Sequence, residues 1–193
     1  GCESGDAICD VLFGDKVPSG KLTATMPKSV GQIPLYYNHL NTGRPLKEGK
    51  WFSKFTSNYL DIDNDPLYPF GYGLSYTTFK YGKPTLSSNT MTNNETISVS
   101  VDITNTGNYD ADEIAQMYIR DLAASISRPV KELKGFERIS IKKGETKTVT
   151  FTITPEDLKF YNQELEYKNE PGEFEVMVGP NSKDVQTLTF TLK

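Results

Sequence analysis

Residues 97–104 read Ile-Ser-Val-Ser-Val-Asp-Ile-Thr, an unbroken alternation of apolar and polar side chains. A period of two places Ile97, Val99, Val101 and Ile103 on one face of a strand, with Ser98, Ser100, Asp102 and Thr104 on the other. Such a strand must lay its apolar face against a second layer. The pattern recurs at short intervals downstream. ADEIAQMYIRDL (111–122) sets Ala115, Met117 and Ile119 against Gln116, Tyr118 and Arg120. VKELKGFERISI (130–141) reads as a third strand, bent at Gly135. TKTVTFTI (146–153) alternates through Val149, Phe151 and Ile153, and KFYNQELEY (159–167), GEFEVMVG (172–179) and VQTLTFTL (185–192) follow as further strands. Turn residues separate them at 105–108, 142–145, 171–172 and 179–182. TPEDL (154–158) predicts one helical turn, with Thr154 as cap, Pro155 first in the turn and Asp157 closing the box. About seven short strands at regular spacing, with no long helix among them, predict an antiparallel β-sandwich of the immunoglobulin-like class over 83–193.

Residues 1–82 have a different texture. ESGDAICDVLFG (3–14) predicts a short amphipathic helix. Ala7, Ile8, Val11 and Leu12 share a face, Ser4 caps the start, and Gly14 ends it in a left-handed conformation. One such helix cannot bury its face alone. A turn at 18–20 and a short strand at 22–26 are expected next. Residues 27–80 are rich in Pro, Gly, Asn and Tyr and carry little periodicity. A structureless stretch of that length is unusual inside a compact domain and predicts a segment wrapped over a neighbour. Cys2 and Cys9, seven positions apart on the helix, would stand about 10 Å apart. That exceeds the reach of a disulfide, so two free thiols are expected.

The charge narrows the classes of function. The net charge is −4, and all of it falls on residues 81–193. Nothing resembles the basic stripe of a nucleic-acid binder, and no apolar run is long enough for a membrane helix. The sequence thus predicts neither a nucleic-acid nor a membrane partner.

The chemistry-bearing residues cluster between 38 and 79. Asp61, Asp63 and Asp65 begin like a calcium loop, but Pro66 stands where the sharp turn needs Gly, and Tyr72 where a bidentate Glu is needed. Read as a hydrolase pair, Asp61 and Asp63 meet the spacing trivially, and Ile62 offers little shielding to raise the pKa of an acid. His39 is the sole histidine, which leaves no Ser–His–acid relay and, with two distant cysteines, no zinc set. Asn38, His39, Asn41 and Arg44 offer donors suited to sugar hydroxyls, and they also fit a polar surface loop that bonds itself. Trp51 fits a sugar-stacking platform or a plug over a domain junction. The residues themselves therefore point to no catalytic pair, no metal and no cofactor.

The longer motifs carry a resemblance. The pattern GxExGxAIxDVLFGDxxPSGKLxxTxPxSVGQIPLYYNHLNTGRP over residues 1–45 and YLDIDNDPLYPFGYGLSYTTF over 59–79 resemble the C-terminal end of glycoside hydrolase family 3. The stretch VDITNTG…QMYIRD…SRPVKELKGFERISIKKGETKTVTF…PGEFEVMVG resembles the fibronectin type III-like domain that closes many members, and the likeness is to bacterial periplasmic β-glucosidases. The resemblance implies a mainly β chain: residues 1–82 as the remnant of an α/β sandwich domain with an irregular linker, and 83–193 as the fibronectin type III-like sandwich. It implies a parent enzyme, a retaining β-glucosidase of carbohydrate metabolism, whose nucleophilic Asp and acid/base Glu lie outside these residues. Glu3 matches a family position whose role looks structural, while Cys2, Ser4 and Cys9 stand where Gly, Ala or another small residue is more usual. The chain itself is then expected to be an inactive piece severed from a longer polypeptide. Its partners would be the upstream barrel and α/β domains, an oligosaccharide substrate and a homodimer mate, in the periplasm or outside the cell. Asn38, His39, Arg44, Asp61 and Asp63 become candidates for the substrate-binding rim. Phe70, Tyr72 and Tyr76 are expected to pack between domains, with the aspartates as loop residues. The rival reading is a carbohydrate-binding or protein-interaction module without catalysis.

Overall fold

The computed structural model describes residues 1–46 and 50–193. Eleven strands form among them: β1 (Phe79–Tyr81), β2 (Thr85–Leu86), β3 (Thr90–Met91), β4 (Ile97–Asn105), β5 (Ala111–Asp121), β6 (Glu132–Ile141), β7 (Thr146–Ile153), β8 (Phe160–Tyr161), β9 (Tyr167–Lys168), β10 (Gly172–Gly179) and β11 (Gln186–Leu192). One sheet has β4 at its centre, with β7 along one edge and β1 and β2 along the other. The second runs β3-β11-β10-β5-β6, antiparallel except where β3 meets β11. β1 lies ahead of residue 83 and already pairs with the end of β4.

The alternating residues meet where the two sheets face each other. Val99, Val101 and Ile103 of β4 and Val149 and Ile153 of β7 share one core with Ala115, Met117 and Ile119 of β5 and Phe174, Val176 and Val178 of β10. Phe174 and Phe190 stack at 5.5 Å across β10 and β11. Each of these side chains larger than alanine contributes about 1.5–3 kcal/mol through apolar burial. The bend expected at Gly135 is present: β6 slips register against β5 between Met117 and Tyr118, leaving Lys134 unpaired. The turn at 155–158 is a 3-10 turn, where the Asp157 carboxylate accepts from both the backbone N–H and the hydroxyl of Thr154.

Three local expectations need correction. KFYNQELEY is not one strand but a small hairpin of β8 and β9, because Asn162 folds the chain back by accepting from the N–H groups of Glu164 and Glu166. Helix α1 (Ser4–Phe13) forms and ends at Gly14 with φ 84° as expected, but Ser4 lies inside it and donates its hydroxyl to the carbonyl of Gly1. Residues 22–26 do not make a regular strand. They pair with 67–72 only at their ends, Leu22 with Gly71 and Tyr72, Met26 with Leu67 and Tyr68. The wrapping prediction for 27–80 also changes partner in part: Lys21, Tyr37, His39, Asp65 and Gly71 meet the second sheet of this same chain or the loops beside it.

That covering explains why polar residues of β5 are buried. Tyr118 is completely buried and Gln116 nearly so, although both point away from the core. Gln116 Nε2 donates to the carbonyls of Gly71 (3.1 Å) and Pro180 (2.7 Å), and its Oε1 accepts from the Tyr118 hydroxyl. Gly71 has φ 79°, and a Cβ there would stand 2.0 Å from Gln116 Oε1, so only glycine fits. Beside this junction Lys21 reaches Glu113 of β5 at 3.2 Å, and the Tyr81 hydroxyl donates to the same carboxylate at 2.9 Å. At the other end, Thr77 Oγ1 donates to Asn105 Oδ1 (2.7 Å), while Asn105 Nδ2 donates to the carbonyls of Tyr109 and Ile141.

Candidate functional site

The irregular segment is organised around Gln32. Ser29 starts a 3-10 turn over Val30–Gln32, and the Gln32 side chain, wholly buried, takes on four backbone groups. Its Oε1 accepts from the N–H groups of Lys28 and Ser29, and its Nε2 donates to the carbonyls of Asp63 (3.0 Å) and Asp65 (3.1 Å). The Tyr59 hydroxyl adds a bond to the Gln32 carbonyl. A buried amide that satisfies every bonding direction fixes the backbone around it. The aspartate loop is thereby pinned to residues 28–32.

Two carboxylates of this loop have basic partners. Asp63 pairs with Lys28 at 2.7 Å, and Asp65 pairs with Lys183 at 2.7 Å from the turn after β10. The hydrogen bond from Lys28 holds the Asp63 carboxyl below its ordinary pKa, helped by the Asp65 N–H. A general acid at neutral pH needs the opposite shift. In this structure Asp63 is thus held as a carboxylate that accepts hydrogen bonds from Lys28 and the Asp65 N–H. Among the described residues no three His, Cys, Asp or Glu side chains are grouped to hold a metal ion.

Above the loop, between the irregular segment and the second sheet, lies an open cleft of about 1000 Å³. Tyr36, His39, Asn41, Trp51, Asp63 and Lys131 are among the residues that line it. Of the five rim candidates, the structure brings His39 and Asp63 into this cleft. Asn38, Arg44 and Asp61 are exposed and do not line it. His39 Nδ1 lies 3.0 Å from the Leu40 carbonyl. The Arg44 carbonyl accepts from Ser57 N at 2.8 Å, next to a bridge between Pro45 and Ser57. Trp51 is 56% exposed, with Phe52 at 6.2 Å. The cleft combines an exposed indole, tyrosines and neutral and charged donors, a combination suited to a polyhydroxylated ligand.

Sequence reasoning passed over Gln32, Tyr37 and Lys183, which set the shape of this region. Gln32 and Tyr37 stand inside the longest motif. Neither residue type advertises chemistry, and only the fold shows their partners. Tyr37 stacks on Phe70 at 4.2 Å and meets Tyr118 edge-on at 5.8 Å. Of the aromatics in 70–76, Tyr72 stacks on Tyr68 at 4.9 Å, and the Tyr76 hydroxyl donates to the Val11 carbonyl of α1.

Comparison with known proteins places these features. Residues 1–76 match the Glycosyl hydrolase family 3 C-terminal domain, and residues 113–182 match a Fibronectin type III-like domain. The chain is 56% identical over 192 residues to a periplasmic beta-glucosidase of Salmonella typhimurium, covering 100% of this chain and 25% of the relative. It is 46% identical over 195 residues to a beta-xylosidase of Formosa agariphila, covering 100% and 26%. Among solved structures, the beta-glucosidase from Listeria innocua in complex with glucose superposes with a TM-score of 0.88 at 45% identity, over 96% of this chain and 26% of that one. The chain thus spans about a quarter of the length of the relatives it matches.

Proposed function

The chain belongs to glycosyl hydrolase family 3, and from that premise we propose that it is the C-terminal portion of a retaining β-glucosidase that releases terminal β-linked glucose from oligosaccharides or glycosides. The observation that carries this reading is the match of its whole length to a quarter of a beta-glucosidase at 56% identity. In this reading the nucleophile and the acid/base stand on upstream domains, and this chain frames them. Two features support that role. None of the residues of α1 is buried, and Leu12 and Phe13 are 73% and 82% exposed, as expected of a face meant for another layer. The cleft beside Trp51, His39 and Asp63 opens on the same irregular segment, which supports reading residues 38–65 as the rim that meets substrate. Asn38, Arg44 and Asp61 are exposed outside the cleft, so in this reading they would reach substrate only in a pocket that an upstream domain completes. Export to the periplasm fits the named location of the Salmonella relative. Residues 1–82 act as the end of the α/β domain and its linker, and 83–193 as the sandwich that buttresses it.

The experiment is an assay of this chain alone and of the full-length polypeptide that carries it, on an aryl β-glucoside. The expected result is turnover only by the full-length protein. Turnover by the chain alone, abolished by Asp63→Asn or Asp61→Asn, would overturn the assignment. The exposed Trp51 and its cleft favour a second reading, a sugar-binding module without catalysis. Calorimetric titration with cello- and laminari-oligosaccharides separates the two. Saturable heat that Trp51→Ala removes, with no turnover by the full-length protein, decides for the module.

A further inference from the structure

The loop of residues 36–45 carries His39, Asn38 and Arg44; its far end is tied to Ser57, while its first half leans on the sandwich. Tyr36, Asn38, His39, Leu40 and Arg44 are all exposed. Tyr37 alone points inward, and it lands on the sandwich. Its ring lies between Phe70 and Tyr118, and its hydroxyl accepts from the Leu133 N–H of β6 at 3.3 Å. Two residues on, the His39 carbonyl accepts from the Val130 N–H at 2.9 Å, and Leu40 forms an antiparallel bridge with Pro129. Tyr118 is itself immobilised, fully buried with its hydroxyl on Gln116. An unbroken chain of contacts thus runs from the middle of β5 through Tyr118 and Tyr37 to His39.

We infer that Tyr37 is a positioning residue for the substrate rim, through which the fibronectin-like sandwich sets the conformation of loop 36–45. This deepens the reading of residues 38–65 as a rim and rests on it. The sandwich then does more than stiffen the protein. Its outer face supplies a rigid aromatic seat and a short rail of backbone bonds, and the loop takes its shape from them. An ordered rim matters because binding groups already held in place lose less conformational entropy when substrate binds. An aromatic seat suits the task, since a ring held on two sides has few rotamers left to lose.

The test uses the full-length polypeptide with Tyr37→Ala and Tyr37→Phe, read by hydrogen exchange and by kinetics on an oligosaccharide. In Tyr37→Ala the Val130 amide should exchange at least about tenfold faster, while Val149 and Val176 in the core keep their protection. KM should rise severalfold with kcat within about twofold, the mark of lost substrate binding. Tyr37→Phe keeps the ring contacts and should restore most of both. Unchanged exchange at Val130 in Tyr37→Ala overturns the anchoring. Faster exchange at Val130 with an unchanged KM overturns the rim reading of the loop and with it the positioning role. Loss of protection throughout the core marks Tyr37 as a fold residue and also overturns the inference.

Discussion

Glu113 is the side chain on which the two halves of the chain depend most directly. Its carboxylate, 6% exposed, is met by Lys21 from the irregular segment and by the Tyr81 hydroxyl from β1. Removing one partner of a buried pair leaves a charge without compensation. Lys21→Met should therefore cost about 3 kcal/mol in a urea titration, and combining it with Glu113→Gln should recover most of the loss. A cost below about 0.5 kcal/mol would mean the pair behaves like an exposed one. The tyrosines of this interface make a second prediction. Burial raises the pKa of both Tyr81 and Tyr118 above the ordinary value, with Glu113 adding to the effect on Tyr81 and Tyr37 to that on Tyr118. The folded chain thus keeps their protons where the unfolded chain releases them near pH 10. Their contribution is complete below about pH 10 and is lost as pH rises beyond it. Denaturation midpoints measured from about pH 8 to 11 should fall steeply above 10, and less steeply in Tyr81→Phe.

At the scale of elements, β5 and α1 are opposites. Both are amphipathic in sequence. β5 has its apolar face in the sandwich core and its polar face under Lys21, Tyr37 and Gly71, so both sides are enclosed. Helix α1 is tied on chiefly by the Tyr76 bond to the Val11 carbonyl. A ten-residue helix lacks the length to persist by itself in water. In this chain alone, amides of α1 should exchange orders of magnitude faster than those of β4 and β10, and joining the upstream domains should slow them. Equal protection of α1 and β4 in the isolated chain would show that the helix needs no further layer. The pairing of 22–26 with 67–72 falls between these extremes, fastened at both ends and free in the middle at the exposed Thr23 and Ala24.

At the scale of the whole molecule, the junctions that bind residues 1–77 to the sandwich include Lys21 to Glu113, Tyr37 to Tyr118 and Leu133, His39 to Val130, Asp65 to Lys183, Gly71 to Gln116, and Thr77 to Asn105. A chain reduced to residues 78–193 would expose Tyr118, take Lys21 from Glu113 and take the Gly71 carbonyl from Gln116. It should be less stable by several kcal/mol and prone to associate, which light scattering and a urea titration would reveal. Full retention of stability would make the covering dispensable. The sandwich was legible in the sequence because strand periodicity is local: Val99, Val101 and Ile103 declare their face without reference to any partner. The helix end at Gly14 and the turn at 154–158 were legible for the same reason, since a cap or a left-handed residue acts within a few positions of itself. The candidate site was only half legible. Its residue types marked the segment, but the split that brings His39 and Asp63 to one cleft and leaves Asn38, Arg44 and Asp61 outside depends on contacts over long sequence separations. The sequence by itself determined that this chain would build an antiparallel sandwich with an amphipathic helix at one end, because side-chain alternation and backbone preference are properties of neighbours. Only the tertiary structure decided that the irregular segment lies on the sandwich's own outer face, because the fit of Gly71 over Gln116 and of Tyr37 between Phe70 and Tyr118 exists only once distant parts of the chain have met.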